Sequence, residues 1–299
     1  MFTDESRSKE RTPAYFLIIG LCFLVQMGTS AHALTRTYAN YYPVEFRESF
    51  ENPDSQFRLP KVIFDVLRRA HLARMNQPDV LKDSCDKSKD PSCYQQKPLG
   101  YRFARTELFG ELHLLQSGDQ YGVRGVYCSK IYTSQDFPNG SAPGPGKIPD
   151  PRVLNTEHTW PQSKFSRSFP KDLQKGDLHI LFPVDSATNS TRSNYPFGEV
   201  SAVTHQPCEN ARKGHSATGR TVFEPADEHK GNVARAMFYF SMRYKMSIDA
   251  EQEEVLRKWN RQDPVDQAER DRNEEIFKIQ KNRNPFIDHP ELASIIQDF

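Results

Sequence analysis

The sequence predicts an α+β fold: a mostly helical single domain around a small antiparallel sheet. Three observations carry this expectation. Apolar residues recur at helical spacing on both sides of the middle of the chain. Two segments of strand character flank a proline- and glycine-rich loop near the centre. No internal repeat or low-complexity linker divides the sequence.

Residues 1–33 stand outside that domain. Basic residues at 7–11 (RSKER), the apolar run Tyr15–Met27 and Ala31-His32-Ala33 form the three-part pattern of a secretory signal. Asp4, Glu5 and Glu10 weaken its first part. The apolar run is shorter than the roughly 20 residues a membrane-spanning helix needs. We expect a cleaved signal and a mature domain over 34–299; an uncleaved anchor is the alternative. No stable membrane association is expected after cleavage. The formal net charge of +1 excludes a large basic field, so any anionic partner has to be held by a local patch. Four cysteines follow the signal: Cys85, Cys93, Cys128 and Cys208. In an exported chain they suggest two disulfides with three possible connectivities. We pair Cys85 with Cys93 across a short loop, and Cys128 with Cys208; free buried thiols are the alternative. Their spacing does not suit zinc.

The elements are read in order. Residues 34–55 suggest an irregular arm. Over 60–74, Val62, Ile63, Val66, Leu67 and Ala70 share a helical face, and Pro60 suits a first turn. Residues 78–99 form the cysteine loop. Residues 101–115 read as a helix with Phe103, Leu108, Leu112 and Leu115 in the core. A strand is expected over 121–133, a loop over 136–151 and a second strand over about 152–159. A basic loop over 160–176 carries Lys164, Arg167, Lys171 and Lys175. The apolar stretch 177–183 leads to a short helix near 185–194, capped by Asp185 or Ser186. Residues 229–246 are the best helix, with Val233, Met237, Phe240 and Tyr244 on one face. The last helix, 263–282, begins DPVD with an aspartate cap.

Glu157 and His158 are the first candidate for chemistry. Such a pair on a strand is ordinarily one surface residue and one satisfied histidine. Here it follows a long Pro/Gly loop, where functional residues concentrate. Asn189 and Arg192, at i and i+3, share one face of the short helix that follows. Neighbours on a strand point to opposite faces, so a shared role for Glu157 and His158 suggests a chain twisted out of alternation at the strand end.

Strand, strand and helix, with histidine on the second strand and asparagine on the helix, resemble the ββα-metal (His-Me finger) nuclease motif. The stretches TEHTWPQS, GDLHILFPVDSATNSTRSNYPFG, FEPADEHKGNVARAMFYFSMRY and WNRQDPVDQAERDRNEEIFKIQKNRNPFIDHP resemble the secreted or periplasmic endonuclease I family over roughly residues 60–290. The resemblance implies internal cutting of DNA, often also RNA, with little sequence preference and 5′-phosphate ends. It implies His158 as the general base that activates water. It implies Glu157 and Asn189 as oxygen ligands of Mg²⁺, with Mn²⁺ or Ca²⁺ as alternatives. Arg192 either clamps phosphate or pairs with an acid and braces its helix. Arg167 is a candidate for the cation that stabilises the phosphate, with Lys164, Lys171 and Lys175 as substitutes. A monomer, free in a periplasm or secreted, is expected.

Other residues carry plainer readings. His179 reads as a core histidine, Trp160 as packing and Asn194 as a helix-end residue. His205, His215 and His229 read as surface residues. An exported nucleic-acid-binding protein without catalysis remains the alternative function, and would predict loss of Glu157, His158 or Asn189. A different metal hydrolase lacks a motif: there is no H-E-x-x-H.

Overall fold

The computed structural model describes residues 38–299. The expected signal at 1–33 lies outside the described residues. The region read as an irregular arm instead holds a 3₁₀ turn, Tyr38–Tyr41, and helix α1, Val44–Glu51. Aromatic packing orders it: Tyr41 stacks on His71 at 4.5 Å, and Tyr42 on Phe46 at 4.4 Å.

Helix α2, Leu59–Arg68, starts with proline in its first turn, as expected. It stops six residues early. Strand β1, Ala70–Arg74, leaves it to pair antiparallel with β2, Gln77–Lys82, and β3, Cys93–Tyr94. His71 fastens this turn, its ring bridging Asp79 Oδ2 at 3.1 Å and Val66 O at 2.8 Å. The cysteines pair as expected, Cys85 with Cys93 and Cys128 with Cys208.

Helix α3, Tyr101–Glu107, runs into a π-helical stretch, Leu108–Leu112. The predicted helix ends there, and 114–117 form strand β4. Leu108 is buried, but Phe103 and Leu115 are exposed (46% and 43%), correcting their assignment to the core. The π turn has a packing partner. Gly146 N donates to Gly110 O at 3.3 Å, and a Cβ on Gly110 would fall 2.5 Å from Gly146 N. Only glycine admits the loop this close.

The expected strand 121–133 is two strands, β5 (Gln120–Arg124) and β6 (Ile131–Thr133), and these join β4 in one sheet. Strand β7, Leu154–His158, pairs with β8, Leu181–Asp185. The short helix α4, Lys171–Lys175, lies between them. Helix α5, Ser186–Arg192, follows β8 directly. This corrects the strand pairing: the partner of 154–158 is 181–185 rather than 121–133, so the histidine is on the first strand of the pair. A polar sheet of β9 (Ala202–Cys208), β10 (Ala211–His215) and β11 (Thr221–Glu224) was not anticipated.

Helix α6, Lys230–Tyr244, runs through the core. Val233, Ala234, Phe238, Tyr239 and Phe240 on different faces are all buried, so it is apolar all round rather than on one stripe. It packs with α7, Ala250–Gln262, which the sequence reading passed over. Helix α8, Gln267–Gln280, is capped by Asp266, whose Oδ1 accepts from Glu269 N at 2.7 Å. Asp263, the expected cap, accepts from Gly231 N instead at 2.8 Å. Among the described residues no helix is long and apolar enough to cross a membrane.

Candidate active site

A cleft of about 300 Å³ opens beside β7 and α5. Thr156, Glu157, His158, Gln162, Asn189 and Arg192 are among the residues lining it. A larger cavity of about 520 Å³ lies around Arg212 and Asp227, but the sequence-predicted residues gather at the smaller cleft.

Local structure explains the gathering. Asp185 ends β8 and caps α5, its Oδ1 accepting from Thr188 N at 2.7 Å. The helix therefore starts where the hairpin ends and lies against β7. Asn189 Nδ2 reaches Thr156 O at 3.5 Å, and Arg192 Nη2 donates to Thr159 O at 2.7 Å. The helix closes at Ser193, which has positive φ; Asn194 beyond it is exposed.

The predicted twist at the strand end is absent. Glu157 pairs with Phe182 and His158 with Leu181 in unbroken register. The two side chains accordingly meet different surroundings. Glu157 Oε1 accepts from Tyr127 OH at 2.8 Å and lies 3.3 Å from Arg192 Nε. His158 lies among Tyr101, Phe165 and Gln162. Both nonetheless border the one cleft.

The hydrogen bonds of His158 fix its tautomer. Nε2 lies 3.0 Å from Lys175 O, a carbonyl that can only accept, so Nε2 carries the proton. Nδ1 then holds the lone pair, and the Gln162 amide donates to it at 3.3 Å. Burial pushes the histidine down to about 4, and the nearby cations Lys175 and Arg192 act the same way, against the carbonyl hydrogen bond. It is neutral at pH 7. Burial raises the Glu157 carboxyl, while Arg192 and the Tyr127 hydroxyl pull it back.

Arg192 is buried, with its guanidinium 4.5 Å over the Phe197 ring. Its Nε faces Glu157 as an ion pair without an aligned hydrogen bond. Arg167 is exposed and does not line the cleft. Of the basic loop, Lys175 contributes its carbonyl, and its ammonium sits 4.4 Å over Tyr101. Trp160 stacks on Phe240 at 4.8 Å, and His179 is buried with Nε2 3.2 Å from Asn282 O. His205 and His215 are exposed as expected. His229 is not: it is buried against Phe182 and Tyr127, which corrects the surface reading.

The oxygen donors at the cleft are few. Among the described residues no group of three or more His, Cys, Asp or Glu converges as a metal site. Glu157 offers a carboxylate whose side-chain contacts both fall on Oε1. Asn189, with Nδ2 turned to Thr156 O, offers its amide oxygen. Two oxygens suit a hard cation that keeps most of its waters. They do not suit zinc.

Tyr127 and Gln162 were missed in the sequence. Gln162 lies four residues after His158, inside TEHTWPQS, and its amide was a readable signal. Tyr127 had none, since nothing in the sequence brings residue 127 to 157.

A sequence model of endonuclease I matches residues 118–291, which include every residue at the cleft. The chain belongs to the endonuclease I family. It is 38% identical over 161 residues to an extracellular ribonuclease of Bacillus subtilis (strain 168), covering 48% of this chain and 53% of that protein. It is 36% identical over 116 residues to an extracellular deoxyribonuclease of Aeromonas hydrophila, covering 38% and 50%. A periplasmic deoxyribonuclease of Aeromonas hydrophila is 34% identical over 116 residues, covering 38% and 48%. The chain thus spans about half the length of these relatives.

Proposed function

We propose that this chain is an exported, metal-dependent endonuclease that hydrolyses phosphodiester bonds of DNA, and of RNA, with little sequence preference. One observation carries the reading: a neutral histidine whose Nδ1 lone pair borders the same cleft as one carboxylate and one amide oxygen. Membership of the endonuclease I family and relatives named as ribonuclease and deoxyribonuclease support it. Residues 1–33 act as the export signal and 34–299 as one nuclease domain, a monomer in the periplasm or outside the cell. The β7–β8–α5 unit serves as the ββα-metal motif.

Glu157 and Asn189 would hold Mg²⁺, or Mn²⁺ or Ca²⁺ in its place, and such a cation would supply positive charge against the phosphate and its departing oxygen. His158 Nδ1 takes a proton from a water as the water oxygen bonds to phosphorus. The bond from phosphorus to the 3′ oxygen breaks, leaving a 5′-phosphate and, after protonation, a 3′-hydroxyl. The Lys175 carbonyl keeps Nε2 protonated throughout, so Nδ1 stays the accepting atom. Gln162 covers that nitrogen until water replaces its amide. Arg192 and Tyr127 hold Glu157 in place, and Arg192 adds positive charge near the phosphate. Arg167 is free to meet phosphate further along the strand. In this reading phosphate contacts, which carry no sequence information, dominate.

Plasmid degradation by purified protein tests this. Cutting is expected with Mg²⁺, none with EDTA, and a fall of about 10²–10⁴-fold in His158→Ala. Equal cutting by the variant, with its fold intact by circular dichroism, removes His158 from the mechanism. Absence of cutting with every divalent ion tried would favour a binding protein.

A further inference from the structure

A third cavity, of about 490 Å³, shares no lining residue with the cleft. Leu112, Leu114, Val126 and Phe182 supply its apolar wall; His113, His229, Asn232 and Arg272 supply polar groups. It lies on the β8 side of the hairpin, where Phe182 is the ladder partner of Glu157.

Arg272 on α8 is buried, and among the described residues no carboxylate pairs with it. Its Nη2 donates to Leu178 O at 2.5 Å and Leu181 O at 2.9 Å. Its Nε donates to His113 Nε2 at 3.1 Å, and the guanidinium lies 4.3 Å over the Phe182 ring. These contacts satisfy donors but leave the charge. Burial pushes Arg272 down to about 10, with Glu269 and Asp177 acting against it.

Glu228, Asp266 and Glu269 also border the cavity, together with Arg124, and each acid has a partner of its own. Glu269 is held by Arg235 through contacts of 2.8 and 2.5 Å. Glu228 accepts from Ser129 Oγ and lies 3.6 Å from Arg124. Asp266 caps α8.

Hydrogen-bond donors remain. Because His113 Nε2 accepts from Arg272, its proton is on Nδ1, which has no partner among the described residues. Arg272 Nη1 is likewise unengaged among the described residues, and His229 Nε2, whose tautomer no hydrogen bond fixes, is a buried atom with no partner there. A buried cation with no carboxylate in ion-pair contact is costly, and an anion seated beside it offsets the cost.

We propose that this cavity binds a phosphate monoester. Arg272 supplies the charge, and His113 and Asn232 supply hydrogen bonds to the phosphate oxygens. The apolar wall suits the organic body of a nucleoside monophosphate. The site stands apart from the proposed activity and does not rest on it.

Isothermal titration of the purified full chain with inorganic phosphate, deoxyadenosine 5′-monophosphate and deoxyadenosine tests this. NMR of the histidine rings locates the binding. Both phosphates are expected to bind and to shift His113 and His229; deoxyadenosine is not. Tighter binding of the nucleotide assigns the apolar wall to its body, and equal binding assigns the site to free phosphate. His113→Gln and Asn232→Asp each weaken binding about tenfold, whereas His158→Ala leaves it intact. Asn232 is partly exposed, so its variant carries the test if His113→Gln fails to fold. The proposal is overturned by no binding up to roughly 10 mM of either phosphate. It is also overturned by deoxyadenosine binding as tightly as the nucleotide, or by loss of binding in His158→Ala but not in Asn232→Asp.

Discussion

His158 owes its orientation to a carbonyl oxygen at Lys175 and a side-chain amide at Gln162. Glu157 owes its own to a tyrosine hydroxyl and a guanidinium. Neither pair of supports could be read from the EH dipeptide, though the dipeptide itself was legible. The sequence reading placed Arg192 between a phosphate clamp and a brace; the ion pair at 3.3 Å puts it against the acid. Tyr127→Phe isolates one support, because it removes a hydroxyl and keeps the ring. Mg²⁺ affinity by calorimetry is expected to fall about tenfold, as for other partners of metal-bound carboxylates. An unchanged affinity would mean that Tyr127 only fills space. Arg192→Met goes further and leaves a buried carboxylate with no cation. It is expected to lower stability by about 3 kcal/mol in urea unfolding.

Helix α5 is short, and its cap fixes where Asn189 meets β7. Asp185→Ala removes the bond to Thr188 N and is expected to lower stability by about 1 kcal/mol. Magnesium binding should weaken with it if α5 presents Asn189; a loss of stability alone would detach the cap from the site. This helix and its cap were legible because Asp-Ser precedes a run that can be helical. Its strand was not. LHILFPV is apolar without alternation, since residues 178–184 are buried on every side, and such a run carries no period. The boundary between α2 and β1 was hidden for another reason. No glycine or proline separates Arg68 from Ala70, and the apolar spacing continues across the break. The sheet of β9, β10 and β11 escaped notice because its first strand is largely exposed and polar.

Across the whole molecule, buried neutral histidines make stability depend on pH. Burial pushes His179 down to about 4 and His229 to about 3, with Arg272 acting on both in the same direction. His113 is lowered by the same causes. Below the ordinary value of 6.5 the unfolded chain takes up protons that the folded chain refuses. Stability is therefore full above pH 6.5 and falls as pH drops toward 4, by up to ~1.4 kcal/mol per pH unit for each histidine. Urea unfolding at pH 7, 5.5 and 4.5 measures this; a flat profile would mean the rings are solvated or already protonated in the fold. His229 shows the limit of the sequence here. Its neighbours read as polar, and only the fold places it against Phe182.

The bond between Cys128 and Cys208 spans 80 residues, and Glu157, His158, Asn189 and Arg192 all fall within that span. The catalytic candidates thus sit on a covalently closed ring of chain. The exposed tip at 138–141 is also inside the ring. A protease that nicks it once opens the ring without dividing the molecule. Nicked protein should run as one band on a non-reducing gel and as two after reduction. The same closure offers a place to cut and rejoin the chain: new ends at this tip would leave every cleft residue on one uninterrupted segment.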